Sequence, residues 1–182
     1  RCDNLNWYEG PTLIELLESL SVYDDAHEEP FRFPVQLVAR HGGHLAEDFR
    51  GYMGRIEAGK VKKGDKLVVQ PSGLSATVKD IVTLDGSLES ARAGQSVTLL
   101  LEEYLDISRG DMLAAADQPA TLLKNVEAAV CWLSDEPLDM RRKYWLNHTT
   151  RQVHARFRKI EFLPHIHTQA NRSADTPKPN YP

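Results

Sequence analysis

A change of hydrophobic period near residue 30 constrains this chain more than any other feature. Before it, Leu13, Leu16, Leu17 and Leu20 recur at i, i+3, i+4 and i+7, with Glu15 and Glu18 opposite and Pro11 placed to take the first helical position. That spacing predicts one amphipathic helix. After the acidic link Asp24-Asp25-Ala26-His27-Glu28-Glu29-Pro30 the chain turns to short β-branched runs bounded by Gly, Pro, Asp and Ser. Strands are predicted over Phe33–Arg40, Arg50–Glu57, Lys66–Gln70, Thr77–Thr83 and Ser96–Glu102 and around Met112–Ala114, with turns at Gly64-Asp65, Pro71-Ser72-Gly73, Asp85-Gly86 and Arg109-Gly110-Asp111. Short strands at this spacing point to a closed antiparallel barrel, because closure removes the unpaired edges that recruit other chains. Gly51 and Gly54 are expected where the barrel bends or another backbone approaches closely.

A second break at Ala116-Asp117-Gln118-Pro119 leads into another β-rich stretch, with strands predicted over Asn125–Leu133, Lys143–Leu146 and Arg151–Leu163. In the last, Val153, Ala155 and Phe157 alternate inward against His154, Arg156 and Arg158, and then Ile160 and Phe162 carry the apolar face onward. A bulge near Arg158-Lys159 would reconcile the two registers. The proline-bearing, nearly apolar-free tail Asn171–Pro182 reads as flexible. Fold class is therefore mainly β: a barrel followed by a partial second barrel, with one short N-terminal helix.

The net charge of −4 over 182 residues hides an asymmetry: residues 140–182 hold nine Lys/Arg and two Asp/Glu, leaving thirteen and twenty-four before them. Such a split marks an acidic partner, nucleic acid, or simply two solvated faces of opposite sign. Cys2 and Cys131 make no disulfide framework and neither sits in a CxxC pair, which fits a reducing cytoplasm. No apolar run approaches the roughly 20 residues a bilayer-spanning helix needs. The opening Arg1-Cys2-Asp3-Asn4 shows neither initiator Met nor signal peptide, and reads as a piece of something longer.

Several local patterns invite chemistry. Gly54-Arg55-Ile56-Glu57-Ala58-Gly59-Lys60-Val61 meets the phosphate-loop pattern except at its last position, where Val61 cannot ligate Mg²⁺ and the next residues read as a turn into a strand. His41-Gly42-Gly43-His44 and His165-Ile166-His167 lack companion ligands at metal-binding spacing. Arg109-Gly110-Asp111 suits a turn, and Asn147-His148-Thr149 and Asn171-Arg172-Ser173 match a glycosylation pattern by chance. No Ser or Cys nucleophile elbow or paired carboxylate stands out, so no catalytic, cofactor-binding or metal-ligating residue is assigned. The basic run Arg151–Lys159, with Tyr144, Trp145 and Phe157 nearby, reads as a half-buried strand rather than a nucleic-acid surface.

Taken together, Trp7-Tyr8-Glu9-Gly10-Pro11-Thr12-Leu13, Phe31-Arg32-Phe33-Pro34-Val35-Gln36, Phe49-Arg50-Gly51-Tyr52-Met53-Gly54, Asp106-Ile107-Ser108-Arg109-Gly110-Asp111 and Val130–Leu138 resemble the GTPase subunit of bacterial sulfate adenylyltransferase, often called CysN. The first motif is shared with elongation factors of the Tu type. Ile107–Asp111 and Trp132–Leu138 are more particular to the sulfate-activating branch. The resemblance spans roughly residues 7 to 163. It implies that residues 1–29 are the last helix of a GTPase domain and a linker, 30–116 β-barrel domain II, 119–168 a partial domain III and 169–182 a tail. The phosphate loop, the Asp-x-x-Gly switch and the guanine-reading Asn-Lys-x-Asp are not in this sequence. By the same resemblance GTP and Mg²⁺ belong to the GTPase domain, ATP belongs to the small catalytic subunit CysD, and the product is adenosine 5'-phosphosulfate. This chain would couple GTPase state to that partner, with no membrane and no nucleic acid involved. Competing readings are a translation-factor barrel pair holding aminoacyl-tRNA and a free-standing β adaptor.

Overall fold

The computed structural model describes residues 10–19, 26, 28–43, 46–164 and 171–172. The helix α1 runs Leu13–Ser19. It begins two residues later than Pro11 suggested, because Thr12 is its cap. The Glu15 amide donates to Thr12 Oγ1 at 3.2 Å and the Thr12 amide to Glu15 Oε2 at 2.7 Å, a reciprocal pairing that satisfies two end donors. Those bonds hold the Glu15 carboxyl below its ordinary range. No residue of α1 is buried, and Leu13, Ile14, Leu16 and Leu17 are exposed; Leu20 lies outside the described residues.

The β segment contains β1 (Arg32–Pro34), β2 (Leu37–Gly43), β3 (Ala46–Arg55), β4 (Lys60–Lys62), β5 (Lys66–Gln70), β6 (Leu74–Thr83), β7 (Gly86–Leu88), β8 (Ser90–Arg92), β9 (Ser96–Leu101) and β10 (Met112–Ala115). They form one curled antiparallel sheet in the order β1-β10-β5-β6-β9-β3-β2, with β7 added to β6 and a separate β4–β8 ladder. The single predicted strand Phe33–Arg40 is split in two, since Pro34 ends β1 and Val35-Gln36 carry the chain across. The two edges of the sheet are therefore consecutive stretches of chain. No β1–β2 ladder closes them. Instead Val35 donates to Asp111 O (2.8 Å), Gln36 to Met53 O (2.9 Å) and Glu57 to Arg32 O (2.9 Å) along this seam.

Alternation puts the apolar face inward. In β5 Leu67 and Val69 are buried, and in β9 Val97 and Leu99. In β6 Ala76 and Val78 point inward, but the next buried residue is Ile81, because a register irregularity between Val78 and Asp80 shifts the phase. Phe33, Val35, Tyr52, Ile56, Ile107 and Leu113 complete a core whose larger members are almost fully shielded. Gly54 sits where its neighbour demands it: a Cβ there would lie 2.5 Å from Pro34 O and 3.0 Å from Phe33 Cζ. Gly51 is buried in β3 between Ala39 and Leu100.

Past residue 116 the outcome differs from the pattern. Residues 125–133 form no strand, and Val126, Val130 and Leu133 are exposed. An apolar run becomes a strand only where a neighbour pairs with its N–H and C=O groups, and among the described residues none pairs with this segment. The hairpin β11 (Tyr144–His148) and β12 (Arg151–Ala155) forms, joined by Thr149-Thr150 with Thr149 at φ 53°. Within predicted Arg151–Leu163 the ladder stops at Ala155 and resumes only at Leu163, so the expected bulge near Arg158-Lys159 has no partner strand to be measured against. Ala155, Phe157 and Ile160 are half-buried between exposed neighbours, as the phase break requires, but Val153 and Phe162, expected inward with them, are exposed. Two further short strands, β13 (Leu163–Pro164) and β14 (Asn171–Arg172), pair with each other.

Candidate functional site

The phosphate-loop-like octapeptide starts in β3, passes Ala58, which bridges Arg32, and enters β4, where Val61 is fully buried. A phosphate loop works by leaving successive backbone amides free to face the anion. Here they are committed. The Ile56 amide donates to Gln95 O, those of Glu57 and Ala58 to Arg32 O, and that of Gly59 to Ala26 O at 2.6 Å. Gly59 has φ 71°, and a Cβ on it would meet Glu29 O at 2.5 Å, so this glycine serves a close backbone crossing. The segment does not fit a nucleotide phosphate.

His41 lies in β2 opposite Phe49, beside a register irregularity; His44, His165 and His167 are outside the described residues. Among the described residues no group of three His, Cys, Asp or Glu side chains could hold a metal ion. Cys131 is exposed and unpaired.

The stretch Leu101–Asp111 is fastened to the sheet at both ends. The Glu103 carboxylate accepts from the Thr77 amide (2.7 Å) and hydroxyl (2.9 Å), and the amide bond chiefly holds its pKa below the ordinary value. The Leu105 carbonyl accepts from Arg50 Nη1 at 2.6 Å and from Tyr52 Oη at 3.0 Å. Burial raises the Tyr52 pKa, with smaller opposing contributions from Arg50. Ile107 is buried. At the far end Arg109-Gly110-Asp111 is a turn: the Ser108 amide donates to Asp111 Oδ2 (2.9 Å), the Gly110 amide to Val35 O (3.0 Å) and Arg109 Nη1 to Gln36 O (3.1 Å). The tripeptide thus braces the seam between β1 and β2. A shallow groove of about 260 Å³ lies near that seam, lined by Gln36, Met53, Val82, Leu84 and Thr98.

The β11–β12 hairpin rests on the same turn. A Cβ on Gly110 would be 3.3 Å from Arg151 Cα, and Arg151 Nη1 is 4.0 Å from Asp111 Oδ1. Its inner face carries a cluster of three rings: Tyr144 lies edge-on to Trp132 and to Phe157, at 5.6 Å in each case, and Trp132 is 6.4 Å from Phe157. Trp132 Nε1 donates to Glu136 O (2.8 Å), the Asp139 amide donates to Tyr144 Oη (3.0 Å), and Leu138 is buried. The Trp132–Leu138 motif is therefore a compact loop pinned by aromatic packing. On the outer face Trp145 stacks on His154, with centroids 3.7 Å apart. That exposed stacked pair was missed in the sequence, where only the alternation of β11 could have signalled an outward Trp.

The curled sheet and the outlying hairpin meet at one braced turn. Among the described residues no helix is long and apolar enough to cross a membrane.

Comparison with known proteins agrees with this architecture. Residues 52–114 match the family model for elongation factor Tu domain 2. Sulfate adenylyltransferase subunit 1 of Yersinia enterocolitica is 38% identical over 96% of this chain, and that of Bacteroides fragilis 39% identical over 92%. The chain spans about a third of the length of these relatives, 36% and 34% respectively. The crystal structure of Sup35 complexed with GMPPNP superposes with a TM-score of 0.65 at 22% identity, covering 96% of this chain and 41% of that one. Apo elongation factor SelB from Methanococcus maripaludis gives 0.65 at 24%, covering 90% and 35%. At such identities these two matches speak to fold.

Proposed function

This chain is homologous along nearly its whole length to sulfate adenylyltransferase subunit 1, and on that premise we propose that it is the β-barrel portion of the GTP-hydrolysing regulatory subunit of that enzyme. In this reading residues 30–116 are domain II and 119–168 part of domain III. GTP and Mg²⁺ act in a GTPase domain joined in cis, and ATP binds to the small catalytic subunit, CysD. The complex works in the cytoplasm and forms adenosine 5'-phosphosulfate and pyrophosphate from ATP and sulfate. The chain's own residues carry no bond-making step. They transmit GTPase state to the partner through a surface that can adopt two arrangements.

The observation that carries the reading is the identity of 38% over 96% of the chain. Support also comes from the committed amides of residues 56–59, which suit a structural role and leave no anion cradle. The test is a set of three binding measurements. The chain should bind the small catalytic subunit, show no heat on titration with GTP, and show no salt-dependent affinity for tRNA. Tight tRNA binding that collapses as salt rises, together with no binding to the small subunit, would replace this reading with the aminoacyl-tRNA holder.

A further inference from the structure

Apart from Arg141, the cations of the β11–β12 region fall into two groups. Arg142 meets Glu136 (3.2 Å), Lys159 meets Glu161 (2.7 Å) and Arg151 lies 4.0 Å from Asp111. Lys143, Arg156 and Arg158 have no carboxylate partner among the described residues, and all three are exposed. They occupy alternate positions with Trp145 and His154, which are cross-strand partners stacked on one another. Ala155 and Phe157, in between, turn toward the aromatic cluster. One face of the hairpin therefore presents three unneutralised cations around an indole that is 61% exposed.

Trp and Arg are the side chains that most often dominate protein interfaces, and unpaired charge of one sign selects a partner of the other. Resting on the function proposed above, we infer that the face bearing Lys143, Trp145, His154, Arg156 and Arg158 docks an acidic surface of the small catalytic subunit. Nucleic acid is the poorer fit. Three cations give only a shallow salt dependence of binding, and one side of the indole is already covered by the His154 ring. The hairpin stands on the Arg109–Asp111 turn that braces the sheet, so a partner held here is coupled to the seam.

The experiment measures binding of the cognate small subunit to the full chain and to three variants, each checked for an unchanged melting midpoint. Trp145→Ala should weaken binding by roughly thirtyfold or more, as an interface anchor does. Arg156→Glu should weaken it by about tenfold and slow association at low salt. Lys62→Glu, which makes the same charge change on β4, should leave it within about twofold, as expected for a residue outside the docking face. If the unaltered chain binds and all three variants bind equally well, the docking face is refuted while the proposed function stands. If the unaltered chain does not bind, both fall. If the variants spare subunit binding but abolish capture of poly(U) RNA, the face belongs to nucleic acid and the inference is overturned.

Discussion

Gly54→Ala isolates the effect of a single close approach. The φ of Gly54 lies outside the left-handed region, so alanine meets no backbone penalty there. Its methyl group would nevertheless sit 2.5 Å from Pro34 O and 3.0 Å from Phe33 Cζ, and Phe33 is fully buried and cannot swing away. β1 has to back off from β3, at the cost of overpacking, about 2 kcal/mol within the usual range of roughly 1–3. For a domain of this size that lowers the melting midpoint by roughly 8–16 °C. Gly64→Ala supplies the opposite control, with φ 83° and nothing within 4 Å; conformational strain alone predicts about 1 kcal/mol. Gly59→Ala combines both penalties, with φ 71° and Glu29 O at 2.5 Å, and should be the worst. Thermal melts followed by circular dichroism should rank the variants Gly64, Gly54, Gly59 in increasing damage. A Gly54→Ala protein melting with the wild type, or above Gly64→Ala, would refute the claim that carbonyl crowding selects glycine at this position.

Tyr52→Phe removes one of two donors to the Leu105 carbonyl, and Arg50 remains at 2.6 Å, so urea denaturation should show a loss of about 0.5–1.5 kcal/mol; a loss beyond about 3 would mean the hydroxyl does more than share that acceptor. Asp80 and Glu103 both have pKa values held below the ordinary 3.8 and 4.5, by the Ser87 hydroxyl first for Asp80 and the Thr77 amide first for Glu103. Their contribution to stability is present above the unfolded-state values and is lost as pH falls through the lowered folded-state values, so Glu103→Gln should lower stability at neutral pH, leave the acid end nearly unchanged and thereby flatten the acid limb of a stability–pH curve. Thr149 holds φ 53° in the hairpin turn, a conformation that suits Gly or Asn. Thr149→Gly should therefore raise the denaturation midpoint slightly, and a lower one would show that the threonine side chain is needed there.

The curled sheet was largely legible because its strands are half-buried and alternate cleanly: Lys66–Gln70 matches β5 and Ser96–Glu102 is β9 with one residue over. The three-residue strands β4, β7 and β8 are too short to show a period at all. In β6 the shift between Val78 and Asp80 depends on pairing with β9, which no local pattern encodes. The helix start was misplaced by weighting Pro11 above Thr12 and Glu15, although the Thr-x-x-Glu spacing was there to be read. For 125–133 the apolar run was present, but none of the described residues pairs with it, and a strand is a property of two segments. The dead phosphate loop was legible from Val61 alone. The stacked Trp145–His154 pair was not, because cross-strand register decides it.

The junction at Val35-Gln36 gives the sheet an unusual dependence on a very small piece of chain. The bonds that Val35 and Gln36 make to Asp111 and Met53 lie side by side along the seam, with the Glu57–Arg32 bond beside them, so one backbone cut there would loosen both rims where they meet. A protease that finds this link should produce cooperative collapse, whereas a nick in a remote hairpin tip would leave the rest standing.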